Sequence, residues 1–324
     1  MPSQSPINPF LQKQGFVLLD GGLATELERL GHNLNHRLWS ARLLMNKPEE
    51  IRKVHLSYLK AGSDCITSAS YQASVPGFIS EGKTEKEAKS LLKSAVELAC
   101  ETRDDYFQSS KFQHNYRIRP IVAASIGPYG SYLADGSEYT GNYGISTSKL
   151  RAFHNPRWEV LADSSADIFA CETIPSLQEA EVLRELLSET PDIYAWISFS
   201  CKDEKDISDG TTLKEAVSLF ENCQQVVAVG INCTAPRYIS SLIEEAQRGA
   251  PTKSIIVYPN SGEIYDPIRK IWIGTSDPMD FSKASLDWYD QGASLIGGCC
   301  RTGPHHIKAM REALLETNLG KLHN

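Results

Sequence analysis

Short apolar runs and amphipathic stretches alternate along most of this chain. Eight segments rich in β-branched and apolar residues recur: Phe16–Leu19, Cys65–Ala69, Ile121–Ile126, Ile168–Cys171, Ala195–Ser200, Val226–Ile231, Ser254–Tyr258 and Leu295–Ile296. Runs this short, apolar at nearly every position, suit strands buried on both faces, as in a parallel sheet. Between them lie Glu85–Glu101, Leu177–Leu187, Leu213–Asn222 and Arg237–Arg248, where apolar residues return every third or fourth position, as Leu183, Leu186 and Leu187 do. That spacing lays one apolar stripe along a helix. Eight strand–helix units in 324 residues predict an α/β protein, a (β/α)8 TIM barrel of one domain. An open doubly wound sheet is the alternative, but no GxGxxG follows any predicted strand, so a Rossmann dinucleotide site has no support. With no linker or low-complexity tract, residues 1–324 are expected to form one barrel domain, with 1–14 a flexible N-terminal extension.

A barrel carries its functional residues where the strands end, on the C-terminal face. The predicted ends read Asp20-Gly21-Gly22, Ser68, Gly127-Pro128, Glu172, Cys201, Asn232-Cys233, Asn260-Ser261-Gly262 and Cys299-Cys300. Polar and thiol residues crowd there.

Composition narrows the chemistry. The net charge of −7 identifies no partner, and the lack of a basic patch interleaved with aromatics argues against nucleic-acid binding. No apolar run approaches the length of a membrane span, and MPSQSPINPF lacks the charged and apolar regions of a secretory signal. A cytoplasmic protein without a membrane partner is expected. In such a reducing compartment the eight cysteines are not expected to form a disulfide framework.

Their placement is more informative. Cys233 closes the sixth predicted strand, and Cys299 and Cys300 close the eighth within Gly297-Gly298-Cys299-Cys300-Arg301. Neighbouring strand residues point to opposite faces, so adjacent cysteines converge only where pleating is broken. Gly297 and Gly298 are expected to supply the backbone freedom. A Cys-Cys pair alone is as consistent with packing as with metal binding; Cys233 at a nearby strand end favours a metal. Three thiolates suit one zinc ion per chain and leave a fourth position for an incoming thiol, which the metal would hold deprotonated. His305 and His306 could close the site, but Pro304 suggests that they lie in the first turn of the last helix. Cys201 is a further rival ligand, whereas Cys65, Cys100, Cys171 and Cys223 read as buried or helix-borne thiols.

These strand ends carry a resemblance. Asp20-Gly21-Gly22-Leu23-Ala24-Thr25-Glu26-Leu27, Ala170-Cys171-Glu172-Thr173-Ile174-Pro175, Gly230-Ile231-Asn232-Cys233 and Gly297 to Pro304 together resemble the homocysteine S-methyltransferases. The likeness runs from about Phe16 to the last helix. Tyr132–Gly141 and Tyr258–Glu263 are similar to the branch using sulfonium donors, S-methylmethionine and to some extent S-adenosylmethionine. The resemblance implies a zinc-containing (β/α)8 barrel that makes methionine, with Cys233, Cys299 and Cys300 as the metal ligands. It also implies that Glu172 and Asp20 hold the homocysteine ammonium, that Gly21 and Ser68 lie near its carboxylate, and that Asn232 supports Cys233 through hydrogen bonds. The alternatives are that Glu172 caps a helix or pairs with Arg301, and that Asp20 organises a turn.

The segment Tyr129–Tyr143 is long for a strand–helix connection. Its tyrosines, with Asp135 and Glu138, suit a sulfonium or ammonium cation; a surface loop whose tyrosines pack on the barrel is the other reading. The expected reaction is attack of the homocysteine thiolate, held by zinc, on the donor methyl, with no separate protein general base. A betaine-dependent enzyme fits less well, because Thr173 stands where that branch carries Tyr. The chain also lacks room for the folate and cobalamin modules of a cobalamin-dependent methionine synthase. Selenohomocysteine or selenocysteine as acceptor, and a non-catalytic zinc or redox-sensing thiol protein, remain as alternatives.

Overall fold

The computed structural model describes residues 5–34, 38, 40–112, 117–266, 271–273 and 277–322. Its strands are β1 (Val17–Leu18), β2 (Cys65–Thr67), β3 (Ile121–Ile126), β4 (Ile168–Ile174), β5 (Ala195–Phe199), β6 (Val226–Asn232), β7 (Ser254–Tyr258), β8 (Ile264–Asp266), β9 (Ile271–Ile273) and β10 (Ala293–Ile296). Eight form one parallel sheet in the order β1-β10-β7-β6-β5-β4-β3-β2, a nearly closed (β/α)8 barrel as expected. The antiparallel hairpin β8–β9 was not expected from the sequence. Its three-residue strands are too short for an alternating pattern to stand out.

Strand alternation sorts the side chains into two cores. Val17, Cys65, Ile121, Ala123, Ile168, Ala170, Trp196, Ala228, Ile256 and Leu295 fill the barrel interior. Their neighbours Leu18, Ile66, Val122, Phe169, Cys171, Ile197, Val229, Val257 and Ile296 face the surrounding helices. A strand buried on both faces has no polar position to spare, which accounts for the continuous apolar runs. Several helices begin on a side-chain cap: Thr84 and Glu87 form a reciprocal capping box, and Ser176 accepts from Glu179 N.

Of the flexible extension expected over residues 1–14, residues 1–4 lie outside the described ones and the remainder needs correction. Asn8–Gln14 is a helix, and Ile7 and Phe10, 2% and 1% exposed, join the barrel-interior cluster. Burying those two side chains offsets the entropy of ordering the segment. Gln14 also donates from Nε2 to Asp64 Oδ2 at 2.6 Å.

The seam between β1 and β2 is closed by a backbone bond and by side chains rather than by a strand ladder. Asp64 N donates to Leu18 O at 2.6 Å, and the Asp64 carboxylate accepts from Leu18 N at 3.0 Å and Arg311 Nη1 at 2.7 Å. Nearer the C-terminal mouth, Asp20 Oδ2 accepts from Thr67 N at 2.8 Å. No described helix is long and apolar enough to cross a membrane.

Candidate active site

Following the inward positions of each strand toward its C-terminal end changes their character. Thr67, Ser125, Glu172, Ser198, Asn232 and Tyr258 continue the same alternation as the apolar interior below them. The barrel therefore ends in a polar layer under a cavity of about 400 Å3, within the usual size range of small-molecule sites. Asp20, Gly21, Ser68, Glu172, Cys233, Cys299 and Cys300 all line it. Asn232 lies directly beneath and bonds upward into its wall.

The Sγ atoms of Cys233, Cys299 and Cys300 lie within 4.8 Å of one another, and Cys233 and Cys300 are 3.6 Å apart. Three sulfurs at about 2.3 Å from a tetrahedral metal stand about 3.8 Å apart, so these thiols fit such an ion. Among the described residues, no other group of three or more His, Cys, Asp or Glu side chains converges in this way. Hydrogen bonds from Cys299 and Cys300 pull the Cys233 thiol well below its ordinary range, while sharing the cluster pushes the other two up.

The backbone reaches this convergence differently from expectation. Gly297 and Gly298 do not take positive φ; a Cβ on Gly297 would lie 2.6 Å from Leu19 Cβ, and one on Gly298 would fall on the Thr302 side chain. They permit close approach instead. Among the described non-glycine residues, positive φ values fall on Thr173 (61°), Cys233 (49°) and Arg301 (66°), at or just past strand ends around the site, and on Ala134 (55°) in the segment after β3. A β-branched residue in that region is strained and needs surrounding contacts to hold it. Asn232 provides them for Thr173, accepting from its N and donating to its Oγ1, both at 2.7 Å. Asn232 Nδ2 also points at Cys299 Sγ, 4.0 Å away, so the thiol it reaches is Cys299 rather than the expected Cys233.

Glu172 and Asp20 are buried, 8% and 5% exposed, with no cationic side chain bonded to either. Burial lifts Glu172 to about 7, against hydrogen bonds from Ser125 and Tyr258. Burial and then repulsion from Glu172 carry Asp20 to about 8, although Thr67 bonds to it. Arg301, the rival partner of Glu172, pairs instead with Glu263 at 2.9 Å. Tyr258 is fixed by Trp196 Nε1 at 3.0 Å and Ser198 Oγ at 2.5 Å. Gly21 and Gly22 lie where a Cβ would meet Thr302 O at 2.8 Å and Cys299 O at 2.7 Å, so the first and last strand ends pack backbone to backbone. The Ser68 hydroxyl is engaged with Ser70 Oγ at 2.7 Å and Ser125 N at 3.1 Å. His306 accepts at Nδ1 from Gly303 N, 3.1 Å away, at the start of the last helix, and neither it nor Cys201 joins the thiol cluster.

Sequence reasoning passed over Thr67, Tyr71, Ser125, Ser198, Tyr258 and the particular place of Tyr139. Continuing the two-residue period past the last apolar position would have found Thr67, Ser125, Ser198 and Tyr258. In the segment Tyr129–Tyr143, three tyrosines follow the packing reading: Tyr129 and Tyr132 lie 4.9 and 5.3 Å from the Phe153 ring, and Tyr143 lies 5.3 Å from Tyr129. Tyr139 alone reaches the thiols, its hydroxyl 3.5 Å from Cys233 Sγ.

A parallel barrel whose mouth joins three convergent thiols, able to hold a metal ion, to two buried carboxylates has the layout of a barrel enzyme acting on a small molecule. The homocysteine S-methyltransferase profile matches residues 17–314. Homocysteine S-methyltransferase YbgG of Bacillus subtilis is 50% identical over 94% of this chain and 96% of its own. Selenocysteine Se-methyltransferase of Brassica oleracea var. italica is 49% identical over 93% and 89%. The metallated crystal structure of the homocysteine methyltransferase MmuM from Escherichia coli superimposes with a TM-score of 0.84, at 43% identity, over 95% of this chain and 99% of that one. The chain belongs to the homocysteine S-methyltransferase family, enzymes of methyl transfer to the sulfur of homocysteine.

Proposed function

We propose that this barrel acts as one homocysteine-binding domain over the length of the chain, using one zinc ion held by Cys233, Cys299 and Cys300 and taking its methyl group from S-methylmethionine or S-adenosylmethionine. The observation that carries the reading is the convergence of three thiols within 4.8 Å beside two buried carboxylates that lack a cation. When bound, zinc supplies the positive charge that keeps a thiol deprotonated at neutral pH.

The chain's own residues account for the rest. Glu172 and Asp20 hold the homocysteine ammonium, which relieves the repulsion between their carboxylates. Ser125 and Tyr258 fix Glu172, and Thr67 fixes Asp20, so the ammonium meets acceptors already in place. Gly21 and Ser68 form the wall beside the amino-acid carboxylate. Asn232 keeps the Thr173 turn and Cys299 in register. The homocysteine sulfur forms a bond to the donor methyl as the methyl–sulfonium bond breaks. The bonding pair stays on the donor sulfur, which becomes a neutral thioether and needs no acid. The thiol proton passes to solvent, and with S-methylmethionine both products are methionine.

Cys300→Ala tests the assignment: the variant is expected to keep its far-UV circular dichroism, lose stoichiometric zinc by elemental analysis and lose methionine formation. Full turnover without zinc would overturn it. Selenol acceptors form a second reading, supported by the 49% identical selenocysteine Se-methyltransferase, and comparison of kcat/KM for homocysteine and selenocysteine separates the two.

A further inference from the structure

The connection from Tyr129 to Tyr143 divides into two anchored ends and a reaching centre. Both ends close on Glu179: Tyr129 N donates to Oε1 at 2.6 Å and the Tyr143 hydroxyl to Oε2 at 2.9 Å. Buried His154 Nε2 lies 2.7 Å from the same Oε1, and Arg157 in turn contacts His154 Nδ1 and Gly127 O. Between the anchors the chain folds back on itself. Gly130 lets the backbone of Glu138 pass so closely that a Cβ at 130 would fall on Glu138 N, and Ser200 Oγ donates to Glu138 O at 3.2 Å. The two carboxylates of this segment thereby separate. Asp135 is exposed and accepts from Ser137 N at 3.0 Å, whereas Glu138 lines the cavity.

Glu138 Oε2 is shielded from solvent and has no hydrogen-bond partner. The same is true of Gln72 Oε1 on the same cavity; its amide is oriented by Nε2, which donates to Ser131 O at 2.8 Å. A carboxylate oxygen and an amide oxygen lying just behind the cavity wall, both dry and both left unmatched, add negative potential to a cavity already lined by Asp20 and Glu172. Leaving such groups unsatisfied costs free energy that a bound cation recovers. Glu172 and Asp20 are the partners proposed for the acceptor's ammonium at the barrel floor. Glu138 reaches the cavity from the segment after β3, next in sequence to Tyr139, whose hydroxyl lies 3.5 Å from Cys233 Sγ. A sulfonium brought to the thiols beside Glu138 has no N–H or O–H, so a carboxylate meets it as a charge rather than as a hydrogen-bond acceptor.

We propose that Glu138, with Gln72 beside it, is the counter-charge that selects a cationic sulfonium methyl donor. This rests on the methyltransferase reading above and adds the residue that recognises the donor. The same contact explains product release. Once the methyl is transferred the donor sulfur is neutral, and the attraction that held it disappears.

The test uses Glu138→Gln in the zinc-loaded enzyme, with homoleucine, the uncharged carbon isostere of S-methylmethionine, as the comparison ligand. The wild-type enzyme is expected to bind S-methylmethionine in preference to homoleucine by calorimetry. The variant is expected to lose about tenfold or more of that preference, with a matching rise in the KM for S-methylmethionine. Homocysteine KM and zinc content should stay as in the wild type, and Glu138→Asp should restore part of the preference. A variant that keeps the wild-type preference and donor KM overturns the assignment of Glu138 alone. A wild-type enzyme that neither binds a sulfonium nor methylates homocysteine overturns the methyltransferase reading and this one together.

Discussion

Replacing Glu172 by Gln should make the protein more stable and a poorer enzyme, and the pH dependence separates the two effects. The substitution preserves shape and an acceptor oxygen for Ser125, and removes a charge that is 8% exposed. Burial raises this carboxyl from 4.5 to about 7, so the folded protein holds the proton more tightly than the unfolded chain does. The stability contributed by protonated Glu172 is fully present below 4.5 and is lost as pH rises through about 7. At pH 8 that loss amounts to about 3 kcal/mol, and Gln escapes it. The Asp20 carboxyl, lifted in part by Glu172, shifts the balance in the same direction when that charge is removed. Scanning calorimetry should therefore find the variant melting about 4 °C above wild type at pH 8, with the difference vanishing near pH 4. In steady-state assays, loss of a charged partner for the ammonium should raise the homocysteine KM about 10- to 100-fold, with the sulfonium KM little changed. A melting gain of equal size at both pH values, or an unaltered homocysteine KM, would refute the reasoning.

Two further outcomes follow from the packing. Asp64→Asn leaves Arg311 facing a neutral amide at the barrel seam, and should cost about 3–5 kcal/mol in urea unfolding; a loss below about 1 kcal/mol would show that the seam does not depend on this pair. Gly22→Ala forces a Cβ to within 2.7 Å of Cys299 O. The strain, about 1–3 kcal/mol, should appear as weaker zinc retention in chelator competition, and unchanged retention would mean that the first strand end does not brace the thiols.

Much of this architecture is legible in the chain because both of its signals are local. The strands Ile121–Ile126 and Ser254–Tyr258 announce themselves as closed apolar runs, and the thiols sit at predictable strand ends. What escapes is whatever depends on partners distant in sequence. Asp64 and Arg311 are 247 positions apart, and nothing near either one forecasts the seam they form. The amino-terminal helix reads as polar until Ile7 and Phe10 are seen against the barrel interior. Four tyrosines on one loop look equivalent in sequence, and only folding distinguishes Tyr139 from the three that pack. The roles first given to Gly297 and Gly298 went astray for a similar reason: a glycine needed for close approach and one needed for positive φ are spelled alike.

The upper part of the β1–β2 seam has a further consequence. Thr67 holds Asp20 through both its amide and its hydroxyl, and the same carboxylate faces the cavity. A ligand ammonium and the neighbouring strand thus share one pair of oxygens, which places the barrel's zipper and its binding wall on a single side chain. The Thr67 amide is a built-in occupancy gauge: its hydrogen-exchange rate should change when an amino-acid ligand binds, while amides on the laddered seams, such as those between β6 and β7, keep their pace.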